Sequence, residues 1–163
     1  MGEVGTMLRV SHSTEWWQVS LAVIAAALIA TACQATGMGW IPSASLTDPS
    51  AKASFGFVYD DATQTFSGSY HDHALGVDFK GTGVLKAGPP PAGVSAKGGC
   101  LFGDPDYESQ NAARPGSGSL SLTVCDLDGF GGVDFILINV TSGPYMDYFN
   151  SGVPSGNITV TSR

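Results

Sequence analysis

Basic side chains are scarce in this sequence. Its 163 residues include 7 Lys and Arg against 14 Asp and Glu, and the formal net charge is −7. Because nucleic-acid binding depends on Lys and Arg that neutralise phosphates, this balance argues against a nucleic-acid partner. Charged residues make up only 13% of the chain, but hydrophobic residues make up 43%, which is typical of a folded protein. We therefore predict one folded domain, since this length leaves little room for a second.

Motifs that carry common enzyme chemistry are also missing. The sequence has no Gly-x-Ser-x-Gly segment and no Cys-x-x-Cys pair, and the segment before residue 33 contains one of its three histidines. We expect no enzymatic activity. A small hydrolase that uses Asp and His stays an alternative, because the separation of two carboxylates is a property of the fold.

No apolar run is long enough to cross a membrane. The longest, residues 19–30, has twelve positions and is interrupted by Ser20, whereas a bilayer requires about 20 residues. This length is typical of the core of a signal peptide, and the small residues Ala30, Thr31 and Ala32 follow as a cleavage site. We therefore predict a signal peptide at residues 1–32.

The residue after this cleavage site is Cys33. The order of apolar core, small residues and cysteine resembles the lipobox of bacterial lipoproteins. The resemblance implies that lipid modifies Cys33 and holds the mature protein at a membrane, with residues 33–40 as the anchor and tether. The alternatives are an ordinary secretory signal cut at the same bond and an uncleaved anchor. In all three cases the domain lies outside the cytoplasm.

The rest of the chain is rich in turn-forming residues and poor in helix-forming ones. It contributes most of the 22 Gly and 9 Pro, and its one Glu is Glu108. Apolar and polar residues alternate in several short runs, at residues 53–59, 66–70, 77–80, 119–124 and 157–161. Residues 133–140 are more continuously apolar, which is typical of a strand covered on both faces. Residues 60–63 favour a hairpin turn, while residues 86–97 and 104–118 are typical of loops. We predict an all-β domain over residues 41–163, an antiparallel sandwich or small barrel of about seven to eight short strands.

Five short segments follow one another along this domain, at residues 37–42, 52–57, 68–73, 126–135 and 156–160. In their order they resemble the post-COAP type, a small secreted domain of bacteria. The resemblance implies a secreted all-β domain. It assigns neither an activity nor site residues.

Cys100 and Cys125 are the two cysteines that remain if lipid takes Cys33. An even pair in an oxidising compartment favours a disulfide. Cys125 ends an alternating run, and Cys100 begins a short apolar piece that we expect to be a neighbouring strand. The alternative is a pair of buried thiols that act as small hydrophobic residues.

His71 and His73 form a possible metal site. On a strand, residues at i and i+2 face the same side, so the two imidazoles could bind zinc or copper with a third ligand. Asp60, Asp61 and Asp78 are the candidates for that ligand. The alternative is a strand end at which one His is merely exposed.

Asp126, Asp128 and Asp134 surround a Gly-rich bend. Three carboxylates could bind calcium, which prefers oxygen ligands, although the spacing is not that of an EF-hand. The alternative is a loop in which Asp and Gly only form a turn.

Exposed aromatic residues would supply a binding surface. Trp40 and the aromatic residues within 145–149 could contact a sugar or a protein partner if they are exposed, but we expect them to pack in the core. We expect a non-catalytic surface domain with a binding or structural role. A calcium-stabilised adhesion or carbohydrate-binding module is the first alternative to this expectation.

Overall fold

A computed structural model describes residues 35–89, 99–127 and 133–160, and none of these residues lies in a helix. They form eleven strands, all paired antiparallel, so the predicted all-β antiparallel fold is confirmed. The strands are β1 Ala35–Pro42, β2 Lys52–Asp60, β3 Thr65–Asp72, β4 Val77–Val84, β5 Lys86–Gly88, β6 Cys100–Gly103, β7 Asp106–Ser109, β8 Ser117–Cys125, β9 Phe135–Val140, β10 Phe149–Gly152 and β11 Ser155–Val160.

One continuous sheet curls into a half-barrel. Its strand order is β10-β9-β8-β7-β4-β3-β2-β1-β11, and the short β5 and β6 branch from β8. The long strand β8 belongs to both halves of the sheet. Its residues 117–119 pair with β7, whereas residues 122–125 pair with β6. The change of partner within β8 is therefore the corner at which the sheet turns.

The side chains of every long strand alternate between an inner and an outer face. Phe55, Phe57 and Tyr59 of β2 point inward, as their spacing predicts, and the residues between them point outward. Burial of these large side chains between the two halves supplies the main favourable free energy of folding. The opposite side of the core comes from β8 and β9, which face β2. Their inward residues are Leu120, Leu122, Val124, Ile136, Ile138 and Val140.

Glycines on the inner face make room for the aromatic rings. Phe57 is opposite Gly37 on one side and Gly68 on the other. A Cβ atom at Gly37 would collide with the Phe57 ring, and one at Gly68 would lie 2.7 Å from Cζ of Phe66. Such close approach of a ring to the backbone is a common reason for Gly within a strand. The high glycine content thus has a packing role in the sheet as well as a role in turns.

The sheet begins earlier in the chain than predicted. Residues 35–40, assigned above to a tether, are part of β1 and pair with both β2 and β11. The prediction missed this strand because two of its positions, Gly37 and Gly39, have no side chain to show the alternation. The folded domain therefore includes Ala35.

Other strands lie in segments that were predicted as loops. Residues 104–118 contain β7 and the first residues of β8, and β5 lies at the start of the segment 86–97. Strand β7 has a single buried aromatic residue, Tyr107, which is too little to give a pattern. The described residues accordingly form eleven strands, where seven to eight were predicted. The turn predicted at residues 60–63 is present between β2 and β3.

Candidate functional site

Four side chains form a row across the outer face of β1 to β4. Trp40 is opposite Ser54, Ser54 is opposite His71, and His71 is opposite Asp78. Since neighbouring strands lie about 4.8 Å apart, the row is about 14 Å long. All four side chains are partly or fully exposed. We call these four residues the Trp40–Asp78 row.

Next to the row lies a shallow depression in the same face. Gly56 leaves its floor without a side chain, and the exposed side chains of Met38 and Val58 stand beside it, 73% and 52% accessible. Lys80 is also at its border. Large apolar side chains exposed side by side are a feature of interaction surfaces.

The indole of Trp40 has a charged neighbour. Nζ of Lys52 lies 3.8 Å from the centre of a Trp40 ring. A cation over an aromatic face at an exposed site contributes about 0.5–1 kcal/mol. The contact holds the indole in place on the outer face, so Trp40 does not pack in the core, contrary to the expectation.

His71 and His73 face the same side, as predicted from their spacing. Their ring centres are 3.6 Å apart, and Nδ1 of His71 lies 3.6 Å from Oδ2 of Asp78. Among the described residues, no group of three His, Cys, Asp or Glu side chains is arranged to hold a metal ion. The two imidazole rings are tilted by 35° to each other, and the zinc or copper site stays a prediction. Asp60 lies at the other end of β2 and Asp61 in the turn after it.

Asp72, between the two histidines, points the opposite way and is completely buried. Its carboxylate accepts hydrogen bonds from the Ser43 hydroxyl, at 2.7 and 2.8 Å to the two oxygens, and from the Tyr148 hydroxyl at 2.8 Å. The backbone N–H of Ala44 also donates to it, at 3.3 Å. A buried carboxylate is tolerated only with such partners, and here the partners come from distant segments.

The network continues from Tyr148 across the end of the half-barrel. The Tyr148 and Tyr70 hydroxyls are 2.7 Å apart. Because the single Tyr148 proton is directed at Asp72, Tyr70 is the donor in this pair. Nδ2 of Asn150 donates both to the Tyr70 hydroxyl, at 2.7 Å, and to the carbonyl of Pro42, at 3.0 Å. We call Ser43, Tyr70, Asp72, Tyr148 and Asn150 the Asp72 cluster.

Burial keeps the two tyrosines of this cluster protonated. It raises the pKa of Tyr70 to about 12, because the phenolate would lose its contact with water. Burial also raises the pKa of Tyr148, and the neighbouring Tyr70 and Asp72 raise it further. Both hydroxyls are therefore hydrogen-bond donors at neutral pH.

Asp126 and Asp134, two of the predicted calcium ligands, bind the backbone of β11. The N–H of Ile158 donates to Oδ2 of Asp134 at 2.8 Å, and the N–H of Val160 donates to Oδ2 of Asp126 at 2.9 Å. These N–H groups lie on the edge of β11 that does not pair with β1. Asp128 lies outside the described residues, so the calcium site stays a prediction.

The two cysteines of the domain are directly opposite each other. Cys100 in β6 pairs in register with Cys125 in β8, and the two are joined by a disulfide. Both side chains are buried. The neighbouring strands that were predicted for these residues are thus present.

The aromatic residues near position 145 divide between core and surface. Tyr145 is buried, and its hydroxyl is 2.7 Å from that of Ser109. Phe149 is 53% accessible. Core packing therefore accounts for Tyr145 but not for Phe149.

The sequence analysis did not identify the Asp72 cluster. One signal was available, because Asp72 follows the inward positions Phe66 and Tyr70 at two-residue spacing. A carboxylate at an inward position implies buried donors. The spacing does not reveal that Ser43 and Asn150 supply hydrogen bonds there.

Comparison with known protein families, curated proteins and solved structures finds no match to this chain. The resemblances to the post-COAP type and to the lipobox therefore stay predictions. No described helix is long and apolar enough to span a membrane.

Proposed function

We propose that this protein is a non-catalytic binding module outside the cytoplasm, held at a membrane by lipid on Cys33. The observation that carries the binding role is the Trp40–Asp78 row with the depression beside it. The row offers an indole, a hydroxyl, an imidazole and a carboxylate within about 14 Å. Such a mixture suits a ligand that has both an apolar face and many hydroxyl or amide groups.

The position of the row in the sheet supports this role. Strands β1 to β4 each pair with a neighbour on both sides, so their outer side chains stand on a rigid base. A site built on strands keeps its geometry better than one built on loops. The ligand class that we propose is a carbohydrate polymer of the cell envelope, since a sugar ring can stack on an indole while its hydroxyls bind polar side chains.

Sedimentation with purified, insoluble peptidoglycan tests this function. We expect the wild-type protein to sediment with the polymer and Trp40→Ala to bind about tenfold more weakly or worse. Phe149→Ala is the matched control, because it removes an exposed aromatic side chain from another strand, β10. Equal loss in both variants, or no sedimentation of the wild type, would contradict the proposal.

The same samples separate binding from hydrolysis. A small hydrolase that uses Asp and His is the alternative, and among the described residues the pair of His71 and Asp78 suits that chemistry best. Soluble fragments released by the wild type but not by His71→Ala would support that alternative. We expect no release by either protein.

The anchor has its own test. Wild-type protein expressed in a bacterium should be found with the membrane fraction, and Cys33→Ser should be soluble. Mass spectrometry of the wild type should find acyl chains on Cys33. Unchanged partitioning of the variant would contradict the lipid anchor.

A further inference from the structure

The start of β1 limits the distance between the fold and a lipid on Cys33. Strand β1 begins at Ala35, only two residues after Cys33. Two residues of fully extended chain span at most about 7 Å. The tether that was expected between anchor and domain is absent from this stretch, because residues 35–40 are hydrogen-bonded in the sheet.

The strand register shows which parts of the molecule share the Ala35 end. Ala35 is opposite Tyr59 of β2 and Val160 of β11. The turn at residues 61–64 therefore lies at this end. Cys125 lies there too, because the next residue, Asp126, accepts a hydrogen bond from the N–H of Val160, and Cys100 is opposite Cys125. We call this the anchor end.

The candidate site lies toward the other end. Trp40 is five residues along β1 from Ala35, or about 17 Å at the usual rise of a strand. The Asp72 cluster and the turn at residues 73–76 lie beyond it, at the end that contains Pro42. The turns at residues 61–64 and 73–76 lie at the two ends of β3 and are about 30 Å apart.

We infer that the anchor end rests against the lipid surface and that the Trp40–Asp78 row and the Asp72 cluster lie away from it, toward the opposite end of the strands. The inference rests on the lipid anchor of the proposed function. Its partner is the bilayer surface, reached through the short link from Cys33 to Ala35. The row then projects outward, where a polymer of the envelope can reach it.

Charge does not draw the anchor end to the membrane. The described acidic residues there are Asp60, Asp61, Asp126 and Asp134, with Lys86 as a basic neighbour. A surface with this balance is repelled by anionic lipid headgroups. The covalent link, and not electrostatic attraction, must therefore fix the orientation.

Two exposed alanines allow a matched test. Ala62 lies in the turn at the anchor end and Ala74 in the turn at the opposite end. In mature protein the thiols of Cys33, Cys100 and Cys125 would be blocked by lipid and by the disulfide, so Ala62→Cys and Ala74→Cys each supply one reactive thiol. Each variant is expressed as the full chain, labelled with a fluorophore and incorporated into phosphatidylcholine vesicles with a quencher on some headgroups.

We expect strong quenching of the label at position 62 and little at position 74. Insertion of a flexible Gly/Ser segment of about 20 residues after Gln34, with a root-mean-square length of about 25 Å, should remove most of the difference. Equal quenching at both positions without the insertion, or stronger quenching at 74, would overturn the orientation while the protein still floats with the vesicles. Failure to float would instead overturn the lipid anchor, and the orientation with it.

Discussion

The Tyr148 hydroxyl donates a 2.8 Å hydrogen bond to the carboxylate of Asp72, 76 residues earlier in the chain. Asp72 ends β3, and Tyr148 directly precedes β10, the last strand at the opposite side of the sheet. Strands β3 and β10 are not neighbours in the sheet. The bond therefore crosses the interior and fastens the two halves of the half-barrel together at one end.

Removing the Tyr148 hydroxyl should weaken this fastening. Tyr148→Phe keeps the ring but leaves the buried Asp72 carboxylate one donor short, so we expect the free energy of unfolding to fall by about 1–3 kcal/mol. Urea unfolding measures the change. A matched control is Tyr145→Phe, which removes a hydroxyl that bonds Ser109 and the Asp78 carbonyl outside the cluster. If the Tyr148→Phe variant were as stable as the wild type, the role assigned to Tyr148 would be contradicted.

Stability should fall steeply at alkaline pH. The pKa of Tyr70 is raised to about 12, above its ordinary value of 10.0, so between these values the unfolded chain loses a proton that the folded protein keeps. This stabilisation is complete below pH 10 and is lost as the pH rises towards 12. A shift of this size corresponds to about 3 kcal/mol.

Unfolding free energies measured from pH 8 to pH 12 check this, with Tyr70→Phe as the comparison. The variant should lose less stability above pH 10 than the wild type. Part of the dependence should persist, because burial also raises the pKa values of Tyr148, Tyr59 and Tyr107. Parallel curves for the two proteins would show that Tyr70 does not contribute.

Two glycines on opposite faces of the sheet should respond differently to alanine. In Gly68→Ala the new Cβ would lie 2.7 Å from Phe66 and 3.0 Å from Phe57, so overpacking should cost about 1–3 kcal/mol. In Gly56→Ala the nearest atom is 4.0 Å away, and we expect little change or a small gain. Thermal melts of both variants measure the difference, and equal melting temperatures would contradict the packing role of Gly68.

The disulfide should stabilise the half of the sheet that contains β6. It closes a loop of 25 residues, for which the chain-entropy account gives about 3 kcal/mol. Replacing both cysteines with alanine should lower the free energy of unfolding by about this amount. Mass spectrometry of a non-reduced digest should contain the linked peptide, and free thiols at both positions in protein from its native compartment would contradict the pairing.

Asp134 should stabilise β11 whether or not calcium is present. Asp134→Ala removes the acceptor of the Ile158 N–H, and we expect a loss of about 1–3 kcal/mol. Melting temperatures in calcium and in EDTA should show the same loss. A rise of the wild-type melting temperature in calcium that Asp128→Ala abolishes would support the calcium site instead.

Strands with large inward side chains could be predicted from the sequence. Phe55, Phe57 and Tyr59 show the alternation of β2 directly, whereas glycine at inward positions hides β1. The outward pairing of His71 with His73 followed from local geometry. The Asp72 cluster did not, because Asn150 reaches Tyr70 over a separation of 80 residues and only the folded sheet brings them together.

The hydrogen bonds of Asp126 and Asp134 also affect how copies of this protein meet. A strand at the end of a sheet offers free N–H groups to which a strand of another molecule can add. At β11 the N–H groups of Ile158 and Val160 are already taken by carboxylates of the same chain. Another molecule could add a strand at this edge only after both of these hydrogen bonds were broken. Strand β11 therefore resists self-association, even at the high local concentration that anchoring to a membrane would produce.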